Sequence, residues 1–496
     1  MSDRSSAIFG NVMDKRTVNK AAKTKAKFAK RFGDDTQSPY PLKAESLPVI
    51  GQRLGVRKLA HAAGSAEGAS EPFDLYADAA ANGAGKPVVI GNIRMGFGHY
   101  RIAMAMASAA HALGYTPYWF DLMSFTDTTC SKIISSQNDL YSLGSRLSQK
   151  SRLFNKLYWE PLNSEGFRKL TYNASDQKTA ELMVTPFADL PSDVPFVGTH
   201  AWPSQAAVHA GFSRVVNAIP DNWPMALHLA EGAVHTVQTP SSYFGYRTLR
   251  GMDKKRVLRP MPEDAIAYTG HYVDYELQVN IPFDCARRRA RLDAGGPVRY
   301  LLSVGGAGAQ FDLFKRIAET LVDYIENGEA VLFVNVGDHR AVWDNLAEAV
   351  PALANATCHF EDFEETAAFA EAALDGTVEG IHAFYDSDIF SAVYSTNLLM
   401  RACDLLITKP SELSFYPVPK LMIQRVGGHE AWGAIRAAEI GDGTFELQTP
   451  AEIAGFIDLV QADPGVVACM CDNIEAADKQ GIYNGAYRVI NLATQE

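Results

Sequence analysis

Short apolar runs, glycine turns and helical stretches alternate along the chain and predict an α/β fold. Residues 86–91, KPVVIG, form a compact apolar run that is typical of a buried parallel strand. A glycine loop at 92–100 and an Ala/Met-rich helix at 101–114 follow it, and a second strand is predicted at 115–121. Strand, glycine loop, helix and strand in this order indicate the start of a Rossmann-like domain.

The same order of elements returns in the second half of the chain. A strand is predicted at 298–304, a glycine loop at 305–310, a helix at 311–326 and another strand at 330–337. A second Rossmann-like domain therefore begins near residue 296. The other predicted strands, all short and apolar, lie within 194–200, 214–221, 233–240, 401–410 and 420–424.

Length and composition agree with two large globular domains and exclude several other classes. The chain has 496 residues, of which 47% are hydrophobic and 21% are charged. Its six cysteines contain no C-x-x-C pair, so we expect neither a disulfide scaffold nor a metal site. No apolar run reaches the roughly 18 to 20 residues of a membrane span, and the N-terminus lacks the apolar core of a secretory signal. We therefore expect a cytoplasmic protein.

Charge is unevenly distributed along the chain. Residues 1–60 carry 13 basic and 5 acidic residues, a net charge of +8, whereas the whole chain carries −11 and the remainder therefore −19. An acidic body argues against a general nucleic-acid binder. We interpret residues 1–72 as a basic tail and linker, with the compact body starting near Phe73. The tail is then either solvated or in contact with an anionic membrane surface or an acidic partner.

His99 is the first candidate for catalysis, because it stands at the junction of the first glycine loop and its helix. A histidine there could take a proton from a hydroxyl, since its pKa is near neutrality, or it could simply cap the turn. Arg101 occupies the third glycine position of a dinucleotide fingerprint, which argues against a nicotinamide oxidoreductase. His200 and Asp221 follow later strands and are second candidates, because open α/β sheets build sites at these ends.

Glycines in the second half are candidates for holding a phosphate group. Gly305, Gly306 and Gly308 precede a helix, where backbone N–H groups suit a diphosphate, although a tight turn without ligand has the same sequence. His429 and Glu430 open a later helix and could bind hydroxyls or phosphate, or serve as a cap.

The ordered set of segments between about residues 86 and 460 resembles one branch of the GT-B glycosyltransferases, that of MurG and the monogalactosyldiacylglycerol synthases. Residues 96–99, GFGH, resemble its G-G-G-H loop, and residues 404–410, DLLITKP, closely match its D-L-V-I-T-K-P segment. Residues 427–434, GGHEAWGA, are similar to P-G-Q-E-x-x-N-A. Weaker likenesses lie at 197–200, 215–240, 268–273 and 305–308.

The resemblance implies two Rossmann-like domains that face each other across a cleft. It implies an acceptor domain at 73–280, a nucleotide-sugar donor domain at 281–475, and a C-terminal segment at 476–496 that crosses back to the first domain. The implied activity is transfer of a sugar from a nucleotide-diphosphate donor, first of all a UDP-sugar, to an acceptor hydroxyl. An inverting, metal-independent reaction without a cofactor is expected, and a lipid acceptor at the inner face of the membrane is among the candidates.

Roles for individual residues follow from the same resemblance. His99 is the expected base, with Asp221 and His200 as second choices. The glycine loop would hold the diphosphate, and His429 and Glu430 would contact the sugar or phosphate. The residues expected near the donor are Lys409, Ser411 and Glu412.

Two departures from the family pattern keep other functions open. Residues 411–419, SELSFYPVP, replace a glycine pair and indicate a shortened helix, and His429 and Gly433 stand where the family has Gln and Asn. Both changes fall where the family grips its donor. The alternatives are a GT-B-shaped sugar-nucleotide epimerase or hydrolase, and a catalytically degenerate scaffold that binds a nucleotide or a partner.

Overall fold

The chain folds into two compact units, each built on a parallel sheet. The computed structural model describes residues 3–62, 73–83, 85–150, 165–304 and 310–495. Unit 1 comprises Met1–Tyr272 and Gly485–Glu496, and unit 2 comprises Val273–Asn484. Two α/β units with parallel sheets confirm the predicted fold class. The boundary between the units lies after Tyr272, whereas the predicted boundary lies after residue 280.

The strands of unit 1 form a small hairpin and one large sheet. They are β1 (Ala7–Ile8), β2 (Asn11–Val12), β3 (Leu42–Ser46), β4 (Arg57–His61), β5 (Pro87–Asn92), β6 (Thr116–Asp121), β7 (Phe196–Gly198), β8 (Val215–Ala218), β9 (Val234–Val237) and β10 (Ile266–Tyr268). The large sheet has the order β10-β9-β8-β7-β5-β6-β4-β3, and only β3 and β4 pair antiparallel. Because β5 lies between β6 and β7, the carboxyl ends of β5 and β7 form the topological switch point, where such sheets bind ligands.

Helices of unit 1 cover this sheet and complete its core. They are α1 (Lys15–Phe32), α2 (Ile50–Leu54), α3 (Leu75–Ala81), α4 (Gly98–Ala112), α5 (Thr129–Lys150), α6 (Leu170–Ala180), α7 (Ala201–His209) and α8 (Pro240–Arg247). Strands β5 and β6 are buried along their whole length, as the apolar runs predicted.

The predicted basic tail is wrong over its described part, because residues 3–62 are folded into unit 1. Strands β3 and β4 extend the large sheet, and α1 is capped by Asp14, whose carboxylate accepts a hydrogen bond from Thr17 N at 2.6 Å. Ala21 is buried, and Phe28 and Phe32 pack against the hydrophobic core. The few apolar residues of this segment share one helical face, which its lysine-rich composition conceals. The rest of the predicted linker, 63–72, lies outside the described residues.

Unit 2 has a six-stranded, fully parallel sheet. Its strands are β11 (Val298–Ser303), β12 (Ala330–Asn335), β13 (Thr357–Phe360), β14 (Gly380–Tyr385), β15 (Leu405–Thr408) and β16 (Lys420–Met422), in the order β13-β14-β12-β11-β15-β16. The switch point lies between β11 and β15. The predicted glycine loop, with Gly305, Gly306 and Gly308, follows β11 and lies outside the described residues.

The remaining helices surround the second sheet, except the last one. They are α9 (Tyr275–Val279), α10 (Ile281–Asp293), α11 (Phe311–Glu326), α12 (Arg340–Ala349), α13 (Phe363–Asp375), α14 (Ile389–Ala402), α15 (Ala431–Ile440), α16 (Pro450–Ala462), α17 (Gly465–Lys479) and α18 (Gly485–Thr494). Helix α18 belongs to unit 1, where Gly485 N donates to His271 O at 2.9 Å. Among the described helices none alone could cross a membrane, and only α16 and α17, joined at a 93° bend, meet the length and composition requirement together.

Candidate functional site

Three predicted residues of unit 1 follow neighbouring strands of the sheet. His99 follows β5, His200 follows β7, and Asp221 follows β8. Because these strands are parallel and adjacent, their carboxyl ends lie at one edge of the sheet, at its switch point. The rings of His99 and His200 are in edge contact, with centroids 4.9 Å apart.

His99 is held in one tautomer by the backbone of the neighbouring strand end. It is half-buried in the first turn of α4, and its Nδ1 lies 2.8 Å from Thr199 O. A carbonyl oxygen only accepts hydrogen bonds, so Nδ1 carries the hydrogen and Nε2 carries the lone pair in the neutral ring. The loop before α4 turns at Gly96, whose φ of +76° is in the left-handed region that favours glycine. The local chain therefore presents His99 as a proton acceptor at Nε2.

His200 supports its surroundings instead of acting as a free base. Its Nδ1 accepts a hydrogen bond from Trp202 N at 3.1 Å and so caps α7. Burial lowers the pKa of His200 well below 6.5, and the nearby His99 and His228 add to this effect. The ring is therefore neutral near pH 7. It lies between His99 and Trp202, with ring centroids 4.9 and 4.8 Å away, and packs edge-on against both rings.

Asp221 is paired with a histidine that the sequence did not reveal. Oδ2 of Asp221 lies 3.0 Å from Nε2 of His228. His228 is buried in the short turn Ala226–His228, whereas Asp221 is about one-third exposed. Within the described part of the chain, neither ring nitrogen of His228 has a partner in hydrogen-bond geometry, so the approach of Nε2 to Asp221 is a close contact without an aligned hydrogen bond.

Three buried amides hold the turn that carries His228, and we call them the amide clamp: Asn173, Gln205 and Asn217. Each donates side-chain hydrogen bonds of 2.7 to 2.8 Å to main-chain oxygens of the turn or of the residue after it. Asn217 donates to His228 O and also accepts from Ser204 Oγ at 2.9 Å. The side-chain oxygens of Asn173 and Gln205 are buried without a hydrogen-bond partner among the described residues, so of the three amides Asn217 is bonded through both its nitrogen and its oxygen. The four donated bonds nevertheless tie the turn to three separate elements of unit 1.

Lys409 and Glu430 meet at the carboxyl end of the second sheet. Lys409 directly follows β15, and its Nζ pairs with Oε1 of Glu430. Oε2 of Glu430 accepts hydrogen bonds from Val426 N and Gly427 N, at 2.7 and 3.0 Å. Burial opposes ionisation of this carboxyl, but Lys409 and the two N–H groups outweigh it and lower the pKa of Glu430. The result is a fixed cation and anion beside the switch point of unit 2.

The segment after Lys409 contains only one short turn. Ser411 N donates to Lys409 O at 2.7 Å, and Glu412 opens the turn Glu412–Phe415, which agrees with the predicted shortened helix. Ser411 and Glu412 are both partly exposed. Gly433 packs against this turn, because a Cβ at this position would lie 2.8 Å from Ser414 Oγ. A larger residue at this position would require Ser414 to shift.

Two groups of predicted site residues lie wholly or partly outside the described residues. His429 lies in the turn Gly428–Glu430 at the start of α15, and its side chain lies outside the described part of the structure. Gly305, Gly306 and Gly308 also lie outside it. In the described ranges, no cluster of three or more His, Cys, Asp or Glu side chains is arranged to hold a metal ion.

Comparison with solved structures finds several loosely similar proteins. UDP-GlcNAc 2-epimerase from Neisseria meningitidis, solved with UDP-GlcNAc, is 11% identical with a TM-score of 0.44, over 82% of this chain and 98% of that one. An α,α-trehalose-phosphate synthase (UDP-forming) from Burkholderia vietnamiensis is 12% identical with a TM-score of 0.42, over 82% and 98%. A putative UDP-N-acetylglucosamine 2-epimerase from Listeria monocytogenes is 12% identical with a TM-score of 0.43, over 82% and 95%. Likenesses this loose assign no activity, and none of the three proteins is named as a MurG or a monogalactosyldiacylglycerol synthase.

Sequence comparison gives matches to two family models and to no curated protein. Residues 7–248 match a family described as Domain of unknown function (DUF6937). Residues 261–494 match a second one, Domain of unknown function (DUF6938). The two matches follow one another with a short gap, and the first includes the segment 7–62 that the structure places in unit 1. The chain is thus similar to these two families over its two consecutive halves.

Proposed function

We propose that this chain is an enzyme of nucleotide-diphosphate sugars that transfers the sugar to an acceptor hydroxyl. The observation that carries the proposal is the set of histidines at the switch point of unit 1, with His99 held as a proton acceptor. Displacement at a sugar carbon needs a base for the acceptor and charge stabilisation for the leaving diphosphate. The histidine edge supports the first requirement, and Lys409 with Glu430 supports the second.

His99 acts as the base in the proposed reaction. Its Nε2 takes the proton of the acceptor hydroxyl while the hydroxyl oxygen forms a bond to the anomeric carbon. The bond between that carbon and the diphosphate oxygen breaks, and the diphosphate leaves with the electron pair. The resulting imidazolium keeps its Nδ1–H bond to Thr199 O, 2.8 Å away, which stabilises the positive charge.

Lys409 supplies positive charge to the diphosphate in this proposal. Its ammonium is oriented by Glu430, which is itself held by the N–H groups of Val426 and Gly427. A preorganised cation stabilises a developing phosphate charge without having to be ordered during the reaction. The glycine loop at 305–308, expected from sequence to bind the same diphosphate, follows a strand that pairs with β15.

Nucleotide binding tests the donor half of the proposal. We would titrate the full chain with UDP, GDP, CDP, TDP and ADP in a calorimeter, and then with their sugar conjugates. Selective binding of one nucleotide, weakened about tenfold or more in Lys409→Ala, is the expected result, because one charge-assisted contact to phosphate is lost. Lys315→Ala, on α11 of the same unit, is the matched control. If no nucleotide binds, the proposal is wrong.

The reaction itself is tested with the donor that binds. His99→Ala should lower the transfer rate by about 10² to 10⁴ while nucleotide affinity stays unchanged. His111→Ala is the control, since His111 is exposed at the other end of the same helix. Transfer at the wild-type rate in His99→Ala would remove His99 as the base. If the chain converts the donor without any acceptor, its activity is epimerisation or hydrolysis and the proposed transfer is wrong.

A further inference from the structure

The outer face of α1 carries an unbroken row of positive charges. Residues 15–32 contain eight basic residues and no acidic one. Five of them lie three or four positions apart and are all exposed, so they share one face of the helix. We call this row the basic stripe, and its members are Arg16, Lys20, Lys23, Lys27 and Lys30.

The opposite face of α1 fixes the stripe on the body of unit 1. Ala21 is buried, and Phe28 and Phe32 pack against the hydrophobic core. Lys25 Nζ pairs with Glu181 at 2.7 Å and ties the middle of the helix to the end of α6. The positive charges are therefore presented on a rigid element, and binding to them does not require a tail to become ordered.

A row of exposed leucines continues from the end of α1. Arg31 Nη1 donates to Ser136 Oγ of α5 at 3.4 Å, so the end of α1 meets this point of α5. Leu140, Leu143 and Leu147 follow Ser136 at helical spacing on the same face and are 70%, 48% and 43% exposed. We call them the leucine row. Large apolar side chains exposed in a row on a surface helix indicate an interaction site.

We propose that the basic stripe and the leucine row together form a docking surface for an anionic lipid bilayer. Lysines and arginines are attracted to anionic headgroups, and neighbouring leucines gain free energy by entering the boundary between headgroups and acyl chains. The chain as a whole carries a charge of −11, and this positively charged surface is the part of it that is complementary to an anionic bilayer. A nucleic acid would match the charges and leave the leucines without a partner. This inference does not depend on the proposed sugar transfer.

Vesicle binding of the full chain tests the surface. The probes are vesicles of phosphatidylcholine alone and of phosphatidylcholine with phosphatidylglycerol, assayed by cosedimentation at low and high salt. The stripe variant changes Lys20, Lys23, Lys27 and Lys30 to Gln, which retains helix propensity. Its control makes the same charge change at four exposed lysines elsewhere: Lys86, Lys254, Lys255 and Lys479.

The leucine row is tested separately. Leu140, Leu143 and Leu147 are changed to Gln in one variant, and three exposed apolar residues elsewhere are changed to Gln in its control: Val257, Phe445 and Leu459. Urea denaturation of all four variants shows whether they keep the wild-type fold.

The wild-type chain and both controls should bind the anionic vesicles, bind neutral ones weakly, and lose binding as salt rises. The stripe variant should bind anionic vesicles at least about tenfold less, because each neutralised lysine removes part of the attraction. The leucine variant should keep the salt dependence and bind less at every salt concentration. The proposal is overturned if the stripe variant binds like its control, or if the wild-type chain binds a soluble acidic polymer and not the vesicles.

Discussion

Asp176 is a buried carboxyl that should make the stability of unit 1 depend on pH. It lies on α6 and is 6% exposed. Burial raises the pKa of Asp176 from 3.8 to about 7, and the side chain of Trp202 offsets only part of this effect. Asp176→Asn keeps the shape of the side chain and removes its ionisation. The variant therefore isolates the free-energy cost of the buried charge.

The size of this cost follows from the two pKa values. Below pH 3.8 the carboxyl is protonated in the folded and the unfolded chain and costs nothing. Between 3.8 and 7 only the unfolded chain ionises, so stability is lost by about 1.4 kcal/mol per pH unit. The penalty reaches about 1.6 kcal/mol near pH 5 and about 4 kcal/mol near pH 8. A raised carboxyl pKa thus destabilises the fold as the pH rises and has no further effect above its folded value.

Urea denaturation of the full chain, followed by circular dichroism at both pH values, measures the difference. Asp176→Asn should have a higher free energy of unfolding than the wild type, and the difference should be roughly 2 to 3 kcal/mol larger near pH 8 than near pH 5. Asp323→Asn, an exposed position on α11, should show no such dependence. An equal gain at the two pH values, or a variant less stable than wild type near pH 8, would refute the assigned ionisation.

Three further substitutions test the packing around the two sites. Lys420→Met should lower the free energy of unfolding by about 3 to 5 kcal/mol, because it leaves the buried Asp442 carboxylate, 2.7 Å away, without its cation. Adding Asp442→Leu should recover part of this loss, and urea denaturation measures both effects. The pKa of Glu430 is lowered, so its contribution to stability should be lost as the pH falls below the ordinary value of 4.5. The urea midpoint of Glu430→Gln should therefore fall less than that of the wild type as the pH is lowered through this range. Asn217→Leu should lower the free energy of unfolding by about 1 to 3 kcal/mol for each polar group that it leaves unpaired. It should also lower the turnover rate, because it frees the turn that carries His228, and a wild-type turnover rate would contradict a role for His228.

The elements predicted best are three strands that are buried along their whole length and one amphipathic helix. The strands β5, β11 and β12 and the helix α11 lie within one or two residues of their predicted positions. Each strand is a continuous apolar run next to a glycine turn, so its pattern needs no knowledge of its neighbours.

The strands β13 and β14 were not predicted, because their sequences lack such runs. Thr357 and Cys358 in β13 are exposed, and histidines occupy the centre of both strands. His359 Nε2 lies 3.0 Å from His382 Nδ1, so a polar cross-strand contact holds this part of the sheet. The contact between the two histidines forms only when the strands lie side by side, and no periodicity in the sequence predicts it.

The candidate site was predictable wherever one strand end was enough to place a residue. His200 and Asp221 were found because parallel strands bring their carboxyl ends to one edge, and His99 was found because it stands where the glycine loop after its strand meets a helix. Lys409 and Glu430 were both named as donor contacts, and the structure adds that they pair. The identity of the pair depends on the turn before α15, which the sequence does not specify.

His228 was missed, and the reason also bears on its role. It lies in a three-residue turn without hydrophobic periodicity, and the amide clamp that fixes it comes from α6, α7 and β8, at Asn173, Gln205 and Asn217. Buried amides are costly where one of their polar atoms stays unbonded, and the side-chain oxygens of Asn173 and Gln205 have no partner among the described residues. A chain that nevertheless uses three of them keeps the turn in one position, and with it the ring that faces Asp221 at 3.0 Å. A fixed carboxylate–imidazole pair next to the His99 edge is what a proton-transfer site requires, so the clamp connects the packing of unit 1 to its proposed chemistry.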